Sequence, residues 1–214
     1  MLAGVRHPRI IPMNGGTLPT LRIVVLAAGF STRLGSPKAL ARVRGQSLLD
    51  RTIEVLATLV VEPVIVVIPP GGGRYRTGST RRVTFAVNSQ RARGLSSSVR
   101  RGILCARYSC AVLLLPVDLI ELHRRDIAKL ISRWRGARRH VAARKVDARA
   151  ATPLILPHSL YRRALEHRGD HGLREFVRSL PRERVLLVNM PSAEADVDTA
   201  DDLQRARRRW RHGT

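Results

Sequence analysis

An α/β fold with a mostly parallel sheet is what the sequence predicts, on three observations. Short runs that are apolar throughout alternate with segments of helical periodicity. The apolar runs are rich in Val, Ile and Leu, as strands buried on both faces must be. Aliphatic residues make up the core, because apolar residues are 44% of the chain and aromatics only 4%. At 214 residues the chain has the length of one domain and enough material for a sizeable core.

The elements follow in order. Residues 1–20 are expected to form an irregular N-terminal extension, since prolines and paired glycines break every period, and Met13 offers an alternative start. Residues 21–214 are expected to form the domain proper. Arg22 to Ala27 reads as a strand. Ser47 to Val60 carries Leu48, Leu49, Ile53, Leu56 and Leu59 at helical spacing. Val64 to Ile68 is a second strand, stopped by two prolines and three glycines, and Arg82 to Val87 a third. A helix is expected over Ser97 to Ala106, and a fourth strand over Ala111 to Leu115. Then come a helix over Arg125 to Trp134, strands over His140 to Arg144 and Pro153 to Leu156, and helices over Ser159 to Glu166 and Leu173 to Leu180. Arg184 to Asn189 is the last strand. Thr199 to Arg209 is a closing helix, with Thr199 as N-cap and Asp202 three residues on, an acidic variant of the capping box.

Composition excludes several classes. No apolar run reaches the roughly 18 residues of a membrane span. The first twenty residues show no secretory pattern, and two cysteines support neither a disulfide framework nor a four-cysteine zinc site. The expected location is the cytoplasm. Lys plus Arg total 39 against 16 Asp plus Glu, a balance of +23. Such a charge usually points to a polyanion. Only Lys38, Lys129 and Lys145 are lysines, however, a skew that fits GC-rich coding, and no recognition motif accompanies the charge. A nucleic-acid partner is therefore not the expectation.

In a parallel sheet, ligands bind outside the carboxyl ends of the strands, so the residues that follow each strand carry the information. After the first comes Leu26-Ala27-Ala28-Gly29-Phe30-Ser31-Thr32-Arg33, then Gly35, Pro37 and Lys38. Small residues let backbone N–H groups approach a phosphate. Arg33 can fork onto phosphate oxygens and Lys38 can add a point charge. The glycine spacing matches neither the dinucleotide fingerprint nor a Walker loop. An ordinary turn with two surface cations is the alternative. After the fourth strand comes Pro116-Val117-Asp118, a carboxylate that can hold Mg²⁺ or cap the next helix. Asn88 precedes Gly94-Leu95-Ser96-Ser97-Ser98, where Ser96 and Ser97 suit a base or ribose, or an N-cap. Asp196 and Asp198 flank Val197 after the last strand. They are expected to point to opposite sides, one toward a metal and the other capping or facing away; the alternative is that both cap the final helix.

These segments, in this order, resemble the MobA-like NTP transferases, in particular the molybdenum cofactor cytidylyltransferase branch. Gly169-Asp170-His171-Gly172 and Asp202-Leu203 extend the match, which runs from about residue 22 to 205. The resemblance implies a Rossmann-like three-layer nucleotidyltransferase fold. It implies that Leu26, Ala27, Ala28, Gly29, Ser31, Asn88, Ser96 and Ser97 bind the nucleotide, with Arg33 and Lys38 on the phosphates. It implies Mg²⁺ on Asp118, Asp196 and Asp198, with Arg33, Lys38 and Asp118 catalytic. The implied reaction moves a nucleotidyl group from an NTP, CTP favoured, to a phosphate-bearing small-molecule acceptor. That acceptor is molybdopterin, a sugar phosphate or another small phosphate, and a molybdoenzyme is the implied partner. The sequence departs from the branch at Ile120, usually proline, and at Ala151-Thr152, usually Gly-His. A non-catalytic nucleotide-binding accessory protein is the reading from a different class.

Overall fold

In the computed structural model, residues 21–59, 62–75, 77, 83–167 and 172–212 are described, the last four through their backbone. The expected extension over 1–20, the start of the third strand at Arg82 and most of the Gly169–Gly172 motif lie outside them. The strands are β1 (Leu21–Leu26), β2 (Arg42–Val43), β3 (Gln46–Ser47), β4 (Val64–Ile68), β5 (Val83–Val87), β6 (Ala111–Pro116), β7 (Val141–Val146), β8 (Arg149–Pro157) and β9 (Val185–Val188). The helices are α1 (Leu48–Ala57), α2 (Leu95–Cys105), α3 (Arg124–Arg135), α4 (Tyr161–Glu166), α5 (Gly172–Arg178) and α6 (Ala200–His212).

Seven strands form one sheet in the order β5-β4-β1-β6-β8-β7-β9. β1 pairs in parallel with both β4 and β6, and β4 with β5. β8 runs antiparallel to β6 and to β7, whereas β7 and β9 are parallel. The order grows from β1 to β4 and β5 on one side, then reverses to β6 on the other. That reversal is a topological switch point, and Leu26 and Pro116, the last residues of β1 and β6, are register partners there. The chain leaves the two strands side by side, which opens a crevice at their carboxyl ends.

Helices cover both faces. Leu49, Ile53 and Leu56 of α1 and Ile127, Leu130 and Trp134 of α3 pack with Val25, Val66, Leu113 and Leu115 on one face. Val99 and Ile103 of α2, Tyr161 of α4 and Phe176 of α5 pack with Val24, Val67, Val112 and Leu114 on the other. Alternate residues of β1 and β6 therefore serve opposite cores, as a period of two requires. Gly102 sets how closely α2 approaches β1, since a Cβ there would lie 2.5 Å from Val24 Cγ1. Among the described residues no helix is long and apolar enough to cross a membrane.

A third, smaller core joins Val43, Leu48, Ile120, Val197, Leu203 and Ala206 beneath α6. The predicted cap of that helix is present. The Thr199 N–H and Oγ1 donate to Asp202 Oδ2 at 2.7 and 2.8 Å, and the Asp202 N–H donates to Thr199 Oγ1 at 3.1 Å. The helix thus starts immediately after the Asp196–Asp198 segment and holds its end in place.

Candidate functional site

The β1 loop is shaped by its own backbone. Ser31 and Gly35 have φ of 53° and 71°, left-handed values that turn the chain back on itself. The Leu34 and Gly35 N–H groups both donate to the Ser31 carbonyl, at 3.0 and 3.2 Å. Ser31 Oγ then accepts the Lys38 N–H at 3.0 Å. One serine therefore closes the loop and delivers Lys38 to the crevice. Glycine suits the left-handed position at 35 because it has no Cβ to clash.

Asp118 and Asp198, eighty residues apart in sequence, are brought together by a short antiparallel bridge. Leu119 pairs with Asp196, the Val197 N–H donates to the Asp118 carbonyl at 3.1 Å, and the Ile120 N–H donates to the Ala195 carbonyl at 3.2 Å. Ile120, 3% exposed, anchors this bridge against Val197 and Leu203. A residue that departs from the family pattern thus has a packing role here.

The carboxylates meet at one ammonium. Lys38 Nζ donates to Asp118 Oδ2 at 3.0 Å and to Asp198 Oδ1. Arg33 Nη2 lies 2.9 Å from Asp198 Oδ2. Two cations and two carboxylates make a balanced quartet. Burial pushes the Asp118 carboxyl above its ordinary value, and Lys38 opposes that rise. The hydrogen bond from Lys38 holds Asp198 below the ordinary carboxylate value. Burial pulls the Lys38 ammonium down, but the two carboxylates outweigh it and leave it raised. Lys38 and the two carboxylates thus shift one another's titration.

The quartet lies in a cleft of about 270 Å³ at the carboxyl ends of β1 and β6. Of the residues predicted from sequence, Leu26, Ala27, Ala28, Gly29, Ser31, Arg33, Lys38, Asp118 and Asp198 line it. Asn88, Ser96, Ser97 and Asp196 do not. Asn88 is 3% exposed and its amide is engaged within the protein. Nδ2 donates to Ser97 Oγ at 2.8 Å and Ser98 Oγ at 3.0 Å, Oδ1 accepts from the Gln90 N–H, and Ser97 Oγ donates to the Gly94 carbonyl. These residues shape the wall rather than face the crevice. Of the Ser96-Ser97-Ser98 run, the residue in the cleft lining is Ser98; the helix begins at Leu95, two residues before the expected start, and buries both Ser97 and Ser98. Phe30, Arg91 and Leu95, also in the lining, carry no chemical signature in sequence.

Asp196 is exposed and borders a separate depression with Glu121, Asp202 and Arg205. The two carboxylates do not lie on opposite sides, since residues two apart in extended chain share a face; Asp198 meets Lys38 and Arg33, whereas Asp196 borders the second depression. Val197 between them is buried, so both point away from that core. Among the described residues no group of three or more His, Cys, Asp or Glu is placed to hold a metal. The pair that converges is Asp118 with Asp198.

A sheet of this topology, with a Gly-bearing cationic loop and a carboxylate pair at its switch point, defines a Rossmann-like nucleotidyltransferase. The chain belongs to the MobA-like NTP transferase domain family, whose model matches residues 23–185. It is 27% identical over 197 residues to the probable molybdenum cofactor guanylyltransferase of Opitutus terrae, covering 86% of this chain and 94% of that protein. It is 32% identical over 135 residues to the bifunctional enzyme IspD/IspF of Clavibacter michiganensis, covering 59% of this chain. The match spans only 32% of that longer relative. The fold is shared with Thermus thermophilus 2-C-methyl-D-erythritol 4-phosphate cytidylyltransferase, at TM-score 0.67 and 21% identity over 89% of this chain and 98% of that one. It is shared also with the Mycobacterium tuberculosis Rv0371c complex with manganese, at TM-score 0.69 and 20% identity over 89% and 99%.

Proposed function

We propose that this chain transfers a nucleoside monophosphate from a Mg²⁺-bound NTP, CTP by preference, to a phosphate-bearing small molecule and releases pyrophosphate. The observation that carries this reading is the meeting of Asp118, Asp198, Lys38 and Arg33 at the switch-point crevice. Two carboxylates that converge on one ammonium already stabilise a cation at that point, and an all-oxygen donor set suits a hard divalent ion. Asp118 and Asp198 are the residues that would hold Mg²⁺. When bound, the ion neutralises charge on the phosphate oxygens of the nucleotide and fixes their orientation.

The chain's own residues do the rest. Backbone N–H groups of the Ala28–Ser31 stretch would meet the phosphates, that of Ala27 being taken by the Val67 carbonyl, and Arg33 and Lys38 add positive charge where the transition state becomes more negative. In-line attack on the α-phosphorus by the acceptor's phosphate needs no protein nucleophile, so positioning and charge supply the catalysis. No general base is assigned. The acceptor is molybdopterin or another small phosphate, the former supported by the name of the Opitutus relative. With molybdopterin as acceptor, a molybdoenzyme is the downstream partner and the cytoplasm the place of reaction.

Base choice rests on Ala27 and Ala28, which line the cleft and are 5% and 1% exposed. A methyl group in place of hydrogen narrows the space beside the base and disfavours a bicyclic purine. Rejection by size is worth about 1–3 kcal/mol, so CTP is expected to exceed GTP in kcat/KM by about tenfold or more. The measurement is kcat/KM for all four NTPs with one acceptor. A GTP value equal to or above that of CTP contradicts the cytidylyl preference and leaves nucleotidyl transfer standing.

A further inference from the structure

Three cations line the nucleotide cleft: Arg33, Lys38 and Arg91. The first two are held by carboxylates, Arg33 by Asp198 and Lys38 by both Asp118 and Asp198. Arg91 is held differently. It lies in the short 3-10 turn Arg91–Arg93 between β5 and α2. Its guanidinium carbon sits 4.2 Å from the ring centroid of Phe30. Among the described residues no carboxylate lies within ion-pair distance of it. Phe30 follows Gly29 in the phosphate-facing loop and is 53% exposed, a large apolar ring left at the mouth of the cleft.

We infer that Arg91 is a capture residue for the polyphosphate tail of the incoming NTP, parked on Phe30 until the nucleotide arrives. This rests on the nucleotidyltransferase reading of the cleft and adds a binding residue to it. A cation over an exposed aromatic face is weakly held. A guanidinium forked onto phosphate oxygens makes charge-assisted bonds several times stronger. The exchange therefore runs from ring to phosphate. Arg33 and Lys38 must loosen a carboxylate to do the same, so Arg91 is the cation that an arriving polyanion can take at least cost. The position fits the tail rather than the base. The Phe30 ring lies one residue from Gly29 and three from Arg33, so a guanidinium stacked on it is already at the phosphate loop. Contact through phosphate oxygens is blind to the base, and a nucleoside monophosphate lacks the atoms that Arg91 is to hold.

The test is calorimetric titration of the full chain, with Mg²⁺, using the four NTPs, CMP and inorganic tripolyphosphate. Arg91→Ala is expected to weaken all four NTPs and tripolyphosphate by one common factor of about 10 to 100, and to leave CMP unchanged. Arg91→Lys keeps the charge without the fork and is expected to fall between. Phe30→Leu keeps apolar bulk but removes the π face. It is expected to bind tripolyphosphate as well as the wild type, or tighter by up to about fivefold, because the parked state is lost. Unfolding temperatures of all variants separate binding loss from misfolding, and Arg91→Lys provides the answer if Arg91→Ala does not fold. A loss that differs among the four bases, an equal loss for CMP, or no loss overturns the inference. So does a loss in Phe30→Leu as large as that in Arg91→Ala, which would make the pair a structural strap. A wild type that binds NTP with Arg91→Ala unimpaired overturns this inference alone, whereas a wild type that binds no NTP overturns the nucleotidyltransferase reading and this inference with it.

Discussion

Asp118→Asn is expected to lower Mg²⁺-dependent turnover by on the order of 10³-fold while the fold is retained. The amide matches the carboxylate in shape, and the backbone carbonyl of residue 118 still accepts the Val197 N–H, so the bridge that joins the two halves of the site persists. The negative charge is what disappears. A neutral amide cannot replace it on a hard cation, and Lys38 is left with Asp198 as its one carboxylate partner. Acidification removes the same charge. Asp118 is held above its ordinary value by burial and Asp198 below it by Lys38, so as pH falls Asp118 protonates first. Steady-state rates at saturating Mg²⁺, with circular dichroism as the check on folding, decide the matter. Turnover within a few-fold of wild type removes Asp118 from the set of essential ligands.

Lys38→Ala has the second largest expected effect. A fall in kcat of roughly 10²- to 10³-fold is expected, together with a rise in KM for the NTP, because the ammonium acts where negative charge grows in the transition state. The variant also leaves Asp118 and Asp198 facing each other without the cation they share. Their repulsion is relieved by a divalent ion, so metal affinity in the absence of nucleotide is expected to rise even as turnover falls. Titration with Mn²⁺ reads the first quantity and initial rates the second. An unchanged kcat with a raised KM would mean that Lys38 contributes uniform binding only.

What the sequence revealed and what it hid follow from the range of the interactions involved. β1, β4 and β6 lie within one residue of their expected bounds, because continuous apolar runs between turn signals are local features. The Thr199–Asp202 cap is equally local. The antiparallel direction of β8 was not legible, since strand direction is set by partners far away in sequence; β8 also runs from Arg149 to Pro157 rather than over the four residues expected. The two-residue strands β2 and β3 were missed altogether, although Arg44 and Gly45 between them both adopt positive φ. At the site, Asp118 follows β6 directly, whereas Arg33 and Lys38 lie farther along the loop after β1, where its small residues and cations mark them in the sequence. Asp196 and Asp198 were not resolved into two roles until the Leu119–Asp196 bridge fixed which one meets Lys38. Asn88 and Ser97 have the chemistry of nucleotide contacts, but their hydrogen bonds to one another and to Gly94 occupy it. Arg91 is one arginine among many, distinguished only by the ring on which it rests.

The measurement that tests the central claim most directly is identification of the phosphate species released from NTP. The wild-type chain is incubated with Mg²⁺, each NTP in turn and a panel of small phosphate monoesters, and orthophosphate and pyrophosphate are quantified separately. Attack at the α-phosphorus, where the Asp118–Asp198–Lys38 centre is assigned, predicts one pyrophosphate for every nucleotidyl group transferred and none without the divalent ion. Orthophosphate in place of pyrophosphate, or NTP binding with no pyrophosphate from any member of the panel, would contradict it.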